Sequence, residues 1–248
     1  MNVFEKYGIR HLSASSLNLY RNAPGVWCLR YLLRVRDEAG PGAWRGQAVE
    51  QGLDRMLFEK ADHNTAMKAV HSKWDELAMG DASDKAMSEY NSLGDYLKQA
   101  YEAFKGRTTM TRQSKISLQL DELDIPIVGY VDYRFTNPDC GFDLKTTNRL
   151  PSAPKQDHVD QVSIYSRATK LPFHLAYITT KKWAIYEVTP AMTDEAMQRV
   201  IQAAKAIKNM LEKAENAEDA FRMFASDTTS FYWSKPLLDA AQEIHAKG

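Results

Sequence analysis

Apolar residues along this chain change their spacing once, and the change divides it. From Trp44 to Phe58 the positions Trp44, Ala48, Val49, Leu53, Met56 and Leu57 keep a helical period, and two more helical stretches are predicted near Asn64–Met79 and Ser83–Phe104. Ahead of them, Ser13 to Tyr20 opens with small hydroxyl residues suited to capping and predicts a short helix that Pro24 interrupts. Later the spacing becomes two. Ile116, Leu118 and Leu120 alternate with polar neighbours, Ile125–Phe135 is rich in β-branched and aromatic residues, and Asn137-Pro138-Asp139-Cys140-Gly141 is turn chemistry leading into Phe142–Thr146. Three consecutive antiparallel strands are expected there. A helix over Gln156–Thr169 follows, then strands over Phe173–Thr180 and Trp183–Val188, a long helix near Thr193–Ala217 and a last one near Pro236–Ala246. There is no internal repeat and no low-complexity linker.

A chain of 248 residues with 44% apolar content can bury one large core. The expectation is a single domain over 1–248, with a mostly helical lobe at 1–110, a catalytic sheet and helix at 111–190, and C-terminal helices at 191–248. The 32 basic residues balance 32 acidic ones, so no global cationic field points to nucleic acid, although basic residues can still cluster locally. Cys28 and Cys140 lie far apart and form no C-x-x-C pair, which argues against a thiolate metal site or a disulfide scaffold and for a reducing cytoplasm. The opening residues have no apolar run of signal-peptide length, and nowhere do eighteen apolar residues follow one another. A soluble, unexported protein is expected.

Candidate chemistry lies at the strands. Gly129-Tyr130-Val131-Asp132 is followed, eleven residues after the aspartate, by Asp143-Leu144-Lys145-Thr146-Thr147. Two short strands would bring these acids and the lysine together. Carboxylates there can hold a divalent metal, and Lys145 shares the strand face of Asp143 because side chains alternate with period two. Each part alone has a plainer reading, a surface aspartate or a surface ion pair. Asp132, however, sits among Val128, Val131 and Tyr133, where an unpaired charge would be costly. On the following helix Gln161 and Tyr165 are four apart and share a face, which fits either a site or ordinary helix surface with one core aromatic.

With these motifs in place, the order helix, three strands, helix, strand resembles the αβββαβ core of restriction-endonuclease-like folds. The chain is similar to the PD-(D/E)XK nucleases, in the branch of RecB-type and CRISPR-adaptation-type exonucleases. The similarity runs from Ser13-Ala14-Ser15-Ser16-Leu17 through Tyr165, with a weaker echo at Phe231-Tyr232-Trp233. It implies an α/β (α+β) fold with a mixed central sheet and an N-terminal helical lobe. It further implies that Asp132, in the G-x-x-D strand, ligates metal, as does Asp143 of the D-x-K-T element together with the backbone carbonyl of Leu144. Lys145 would orient or deprotonate the attacking water, or stabilise charge on the phosphorus. Gln161 and Tyr165 match the Q-x-x-x-Y signature that positions the scissile phosphate and the strand. Gly46-Gln47-Ala48-Val49-Glu50-Gln51-Gly52-Leu53 resembles the helix G-x-x-V-H-x-x-L, with Glu50 where a metal-binding histidine often stands. A carboxylate suits Mg²⁺ or Mn²⁺; the alternative is a solvated helix glutamate.

Many relatives bind an iron–sulfur cluster through one cysteine after the opening helix and three near the C-terminus. Here Tyr20-Arg21-Asn22-Ala23-Pro24 replaces Y-x-x-C-P, and Ser230-Phe231-Tyr232-Trp233-Ser234 holds no cysteine. The expected cofactors are therefore one or two Mg²⁺ or Mn²⁺ ions and no cluster. Phe231, Tyr232 and Trp233 are expected to pack the chain's end against the N-terminal helices, and Cys28 to be a buried thiol. Arg149, Lys155, Lys181 and Lys182 read as phosphate contacts or solvated charges, and His158 as a cleft or surface residue. The implied activity is metal-dependent hydrolysis of linear double- or single-stranded DNA. It leaves 5′-phosphate and 3′-hydroxyl ends in an exonuclease mode serving recombination, repair or phage DNA metabolism. A recombinase or single-strand-binding protein is the candidate partner. The competing readings are a structure-specific or single-strand endonuclease and a non-catalytic nucleic-acid-binding module.

Overall fold

Five strands form one mixed sheet in the computed structural model, which describes residues 2–246. They are β1 (Thr108–Leu118), β2 (Ile127–Thr136), β3 (Cys140–Thr146), β4 (Phe173–Ile178) and β5 (Trp183–Val188), and their order in the sheet is their order in the chain. β1, β2 and β3 pair antiparallel, β3 and β4 pair parallel, and β5 closes antiparallel on β4. A parallel step needs a crossover, and α7 (Gln156–Thr169) supplies it between β3 and β4. The mixed α/β architecture is the restriction-endonuclease-like one expected.

Among the described residues, nine further helices surround the sheet: α1 (Val3–Lys6), α2 (Ala14–Asn22), α3 (Pro24–Tyr31), α4 (Pro41–Phe58), α5 (His63–Ala78), α6 (Asp84–Phe104), α8 (Pro190–Lys213), α9 (Ala217–Arg222) and α10 (Lys235–Ala246). Two apolar cores result. One gathers α2, α3, α7 and α8 with Phe173, Leu175 and Tyr177 of β4; the other gathers α4, α5 and α6 with Ala176 and Ile178 of the same strand. Burial on both faces is why β4 is apolar or aromatic at every position except the half-buried His174. In β3, Phe142 and Leu144 belong to the α4–α6 core, so the pleat turns Asp143 and Lys145 towards α7.

Helix boundaries depart from the sequence reading where a cap decides them. Pro24 does not end helical structure but starts α3 as its first residue, where its missing N–H has no intrahelical partner to lose. Pro41 and Pro190 start α4 and α8 in the same way. The stretch expected as one helix to Ala217 ends at Lys213, because Asn216 caps the separate helix α9. Phe231 does not pack as expected: it is 86% exposed, while Tyr232 and Trp233 lie half-buried against the α2–α3 core. Cys28 is fully buried, and burial pushes its thiol up to about 12.

The crossover helix is tied down by charge. Asp160 of α7, 1% exposed, accepts from Arg199 of α8 at 2.7 Å and pairs with Arg21 of α2, while Asn18 of α2 donates to the Asp157 carbonyl at 2.8 Å. These contacts fix the rotation of α7, and so the direction in which Gln161 and Tyr165 point.

Candidate active site

The strand exchange at Asp132 builds the centre. Val131 belongs to the α7-side core and Tyr133 to the α4–α6 core, with Asp132 between them. Across the ladder, Gln113 of β1 adopts a φ of +45°, the left-handed region that a strand residue rarely enters. Its carboxamide nitrogen donates to Glu50 of α4 and reaches Asp132 Oδ1 at 3.5 Å. Asp132 Oδ2 accepts the Leu144 backbone N–H at 2.8 Å, which locks β2 to β3 beside Asp143.

From there the contacts run into α7. Lys145 Nζ lies 2.7 Å from Asp143 Oδ2 and donates to Gln161 Oε1 at 3.0 Å, and Gln161 Nε2 donates to the Tyr165 hydroxyl at 2.9 Å. Glu50, Asp132, Asp143, Lys145, Gln161 and Tyr165 therefore lie together, drawn from three elements of the sheet layers and the α4 layer. Gly129 explains how Tyr165 gets so close: a Cβ there would stand 2.5 Å from its ring. Leu144, whose carbonyl the sequence reading assigned to metal, touches Asp132 through its N–H.

Electrostatically the cluster is short of positive charge. Burial pushes Glu50 up to about 7, opposed by the Gln113 hydrogen bond and reinforced by the charges of Asp54 and Asp143. Burial, then the charges of Asp143 and Glu50, hold Asp132 well above the usual carboxylate range, and burial raises Asp143. Burial works to lower Lys145, but the charges of Asp143 and Asp132 outweigh it and raise the ammonium. Tyr165 is pushed up to about 12, first by burial and then by Asp143, so it remains a phenol.

Three acids against one ammonium leave two negative charges in excess when all are ionised, which a divalent cation would offset. Asp143 is fully buried; the Lys145 ammonium stands 2.7 Å from Oδ2 in bent geometry, and Oδ1 has no hydrogen-bond donor. These all-oxygen donors fit a hard cation such as Mg²⁺ or Mn²⁺. Among the described residues no three acidic, histidine or cysteine side chains stand at ligand spacing, and Gln113 and the Leu144 N–H engage Glu50 and Asp132.

Two participants escape the motif reading. Gln113 is one, since nothing in a strand sequence announces a left-handed residue. Arg45, buried on α4 one turn and a half before Glu50, is the other: it donates to the Thr146 carbonyl at 3.1 Å and to Asn148 Oδ1 at 2.8 Å, fixing the chain just after Lys145. His158 accepts or donates at 2.8 Å with the Tyr177 hydroxyl; burial, then the charges of Lys145 and Lys155, bring it down to about 3, so it is neutral. Arg149, Lys155, Lys181 and Lys182 are exposed.

A family model described as the PD-(D/E)XK nuclease superfamily matches residues 11–234. No curated protein matches the chain. Among solved structures, one described as the crystal structure of SSO0001 is 17% identical, the match covering 62% of this chain and 72% of that one with a TM-score of 0.32. No helix among the described residues is long and apolar enough to cross a membrane.

Proposed function

Since the chain belongs to the PD-(D/E)XK nuclease superfamily, which implies a metal-dependent nuclease, we propose that it hydrolyses DNA phosphodiesters at the Asp132–Asp143–Lys145 centre. The observation that carries this reading is the buried carboxylate of Asp143, paired with Lys145 through Oδ2 and with Oδ1 left without a hydrogen-bond donor. Glu50, Asp132, Asp143 and the Leu144 carbonyl would hold one or two Mg²⁺ or Mn²⁺ ions. A divalent cation there supplies acidification of a water and neutralisation of charge on the phosphate.

The chain's own residues do the rest. Lys145, held as an ammonium by its two acidic neighbours, donates a proton in a hydrogen bond rather than accepting one, and so steadies negative charge gathering at phosphorus. Gln161 fixes the direction of that ammonium, and Tyr165 fixes Gln161. Water oxygen bonds to phosphorus as the bond to the 3′-oxygen breaks, leaving a 5′-phosphate and a 3′-hydroxyl.

The finer reading is a RecB-type exonuclease without the iron–sulfur cluster, supported by the lack of cysteine at the two motif places, working as one domain in recombination, repair or phage DNA metabolism. The test is digestion of linear, covalently closed and flapped DNA labelled at either end, with Mg²⁺, with Mn²⁺ and with chelator, by wild type, Asp143→Ala and Lys145→Ala. Metal-dependent loss of linear DNA by wild type alone is expected. Equal activity in all three proteins would remove the centre, and efficient cutting of closed circles would remove the exonuclease mode.

A further inference from the structure

A cleft of about 340 Å³ opens beside the carboxylates, with Asp132, Gln161 and Tyr165 at its inner end. Its outer walls are residues given no catalytic role above, with His11, Ser13 and Ser15 from the segment before β1, and Lys115 and Tyr130, the latter a variable position of the G-x-x-D strand. Leu12 sets the first wall. It is buried and bridges to Ile127, taking the Pro126 carbonyl at 3.0 Å and accepting the Val128 N–H at 2.8 Å, which pins its neighbours His11 and Ser13 against the start of β2.

The second wall is a cross-strand pair. Lys115 of β1 and Tyr130 of β2 are register partners, so their side chains stand next to each other. Tyr130 is 51% exposed, a large ring left in water at the mouth of a polar cleft, and Lys115 is exposed beside it. A cation adjoining an open aromatic face, two residues up the strand from Asp132, is the equipment that grips an unpaired nucleotide: the ring takes a base, the ammonium its phosphate. A base inside a duplex has its faces covered by its neighbours and offers nothing to such a ring.

We propose that this cleft is a track for an unpaired DNA strand, with a base stacked on Tyr130 and adjoining phosphates held by Lys115, His11 and the hydroxyls of Ser13 and Ser15. The inference rests on the nuclease reading above and deepens it: the centre receives its substrate as a single strand, and a duplex must open before cleavage. Lys115 and Tyr130 lie outside both cores, so replacing them leaves the fold intact.

The experiment is fluorescence anisotropy in chelator, using a dye-labelled single strand of about twelve nucleotides, within the span such grooves cover, and a blunt duplex of the same sequence. Tyr130→Ala weakens single-strand binding about five- to a hundredfold, the range stacking on one aromatic gives, and Tyr130→Phe restores it. Lys115→Ala reduces the slope of log affinity against log salt by about 0.7, one phosphate contact on a single strand. Duplex affinity stays the same in every variant. Wild-type affinity in Tyr130→Ala, or an equal loss for duplex, overturns the track. The nuclease reading fails separately: a wild type that grips the single strand through Tyr130 yet cleaves nothing with Mg²⁺ or Mn²⁺ refutes hydrolysis and leaves the track standing.

Discussion

The Lys145 ammonium donates to the carboxamide oxygen of Gln161 at 3.0 Å, joining the strand of the D-x-K element to the helix that follows it. Without that acceptor Lys145 keeps only its misaligned contact with Asp143. Gln161→Ala should lower the single-turnover rate about ten- to a hundredfold, the weight of one hydrogen bond to a charged group, while Lys145→Ala should lower it further. Burst kinetics on end-labelled DNA measures both. A Gln161→Ala enzyme at wild-type rate would separate the helix from the chemistry.

Glu50 carries a pH dependence with a definite sign. Its folded pKa of about 7 lies above the unfolded carboxylate value, so in the folded protein it keeps a proton that the unfolded chain has released. Stability of the metal-free protein therefore falls as pH rises from the ordinary carboxylate range through about 7, and the loss is complete above it. Thermal unfolding in chelator should decline on the order of 5 °C across this window, and Glu50→Gln should flatten the Glu50 part of the decline. Added Mg²⁺ or Mn²⁺ should raise the midpoint more at pH above that window than below it.

Gly129 and Tyr165 are coupled by space. A Cβ at residue 129 would meet the ring at 2.5 Å, so Gly129→Ala should cost about 1–3 kcal/mol through overpacking and reduce cleavage by displacing the Tyr165–Gln161 contact. In Gly129→Ala/Tyr165→Ala the clash disappears. Denaturant unfolding of the four proteins of the cycle should give less destabilisation in the double variant than the sum of the singles.

Asp160 stands between Arg21 and Arg199 with almost no solvent contact. Asp160→Ala leaves both half-buried guanidinium groups without their common acceptor, with Arg21 keeping only Asp157 as an acidic partner, and losing such charged hydrogen bonds costs about 1.5–3 kcal/mol. Chemical denaturation should register that loss at neutral pH. Activity in whatever remains folded should fall too, because α7 loses the contact that sets its rotation.

Strand and helix periods put Asp143 with Lys145 and Gln161 with Tyr165 on shared faces, i and i+2 in β3, i and i+4 in α7, but it was the resemblance to the D-x-K-T and Q-x-x-x-Y motifs that singled them out as a site. Glu50 came from the resemblance of residues 46–53 to the helix G-x-x-V-H-x-x-L. What stayed hidden depends on contacts remote in sequence. Gln113 reaches Glu50 across 63 positions, through a backbone conformation that no strand pattern encodes. Arg45 looks like any helix arginine until β3 ends beneath it. Helix α3 was hidden because the same proline that stops one helix can open the next, and Phe231 because an aromatic run does not say which ring turns outward.

The parallel pairing of β3 with β4 has a consequence for the nascent protein. Synthesis delivers both aspartates and Lys145 by Thr146, but Gln161 arrives only with α7, and α7 is fixed only when Arg199 emerges on α8. A ribosome-bound chain halted after β3 thus possesses every acid of the centre and no scaffold to aim its lysine. Aiming of Lys145 therefore waits on residues made more than fifty positions after it, so the site can take its final geometry only once α8 has docked.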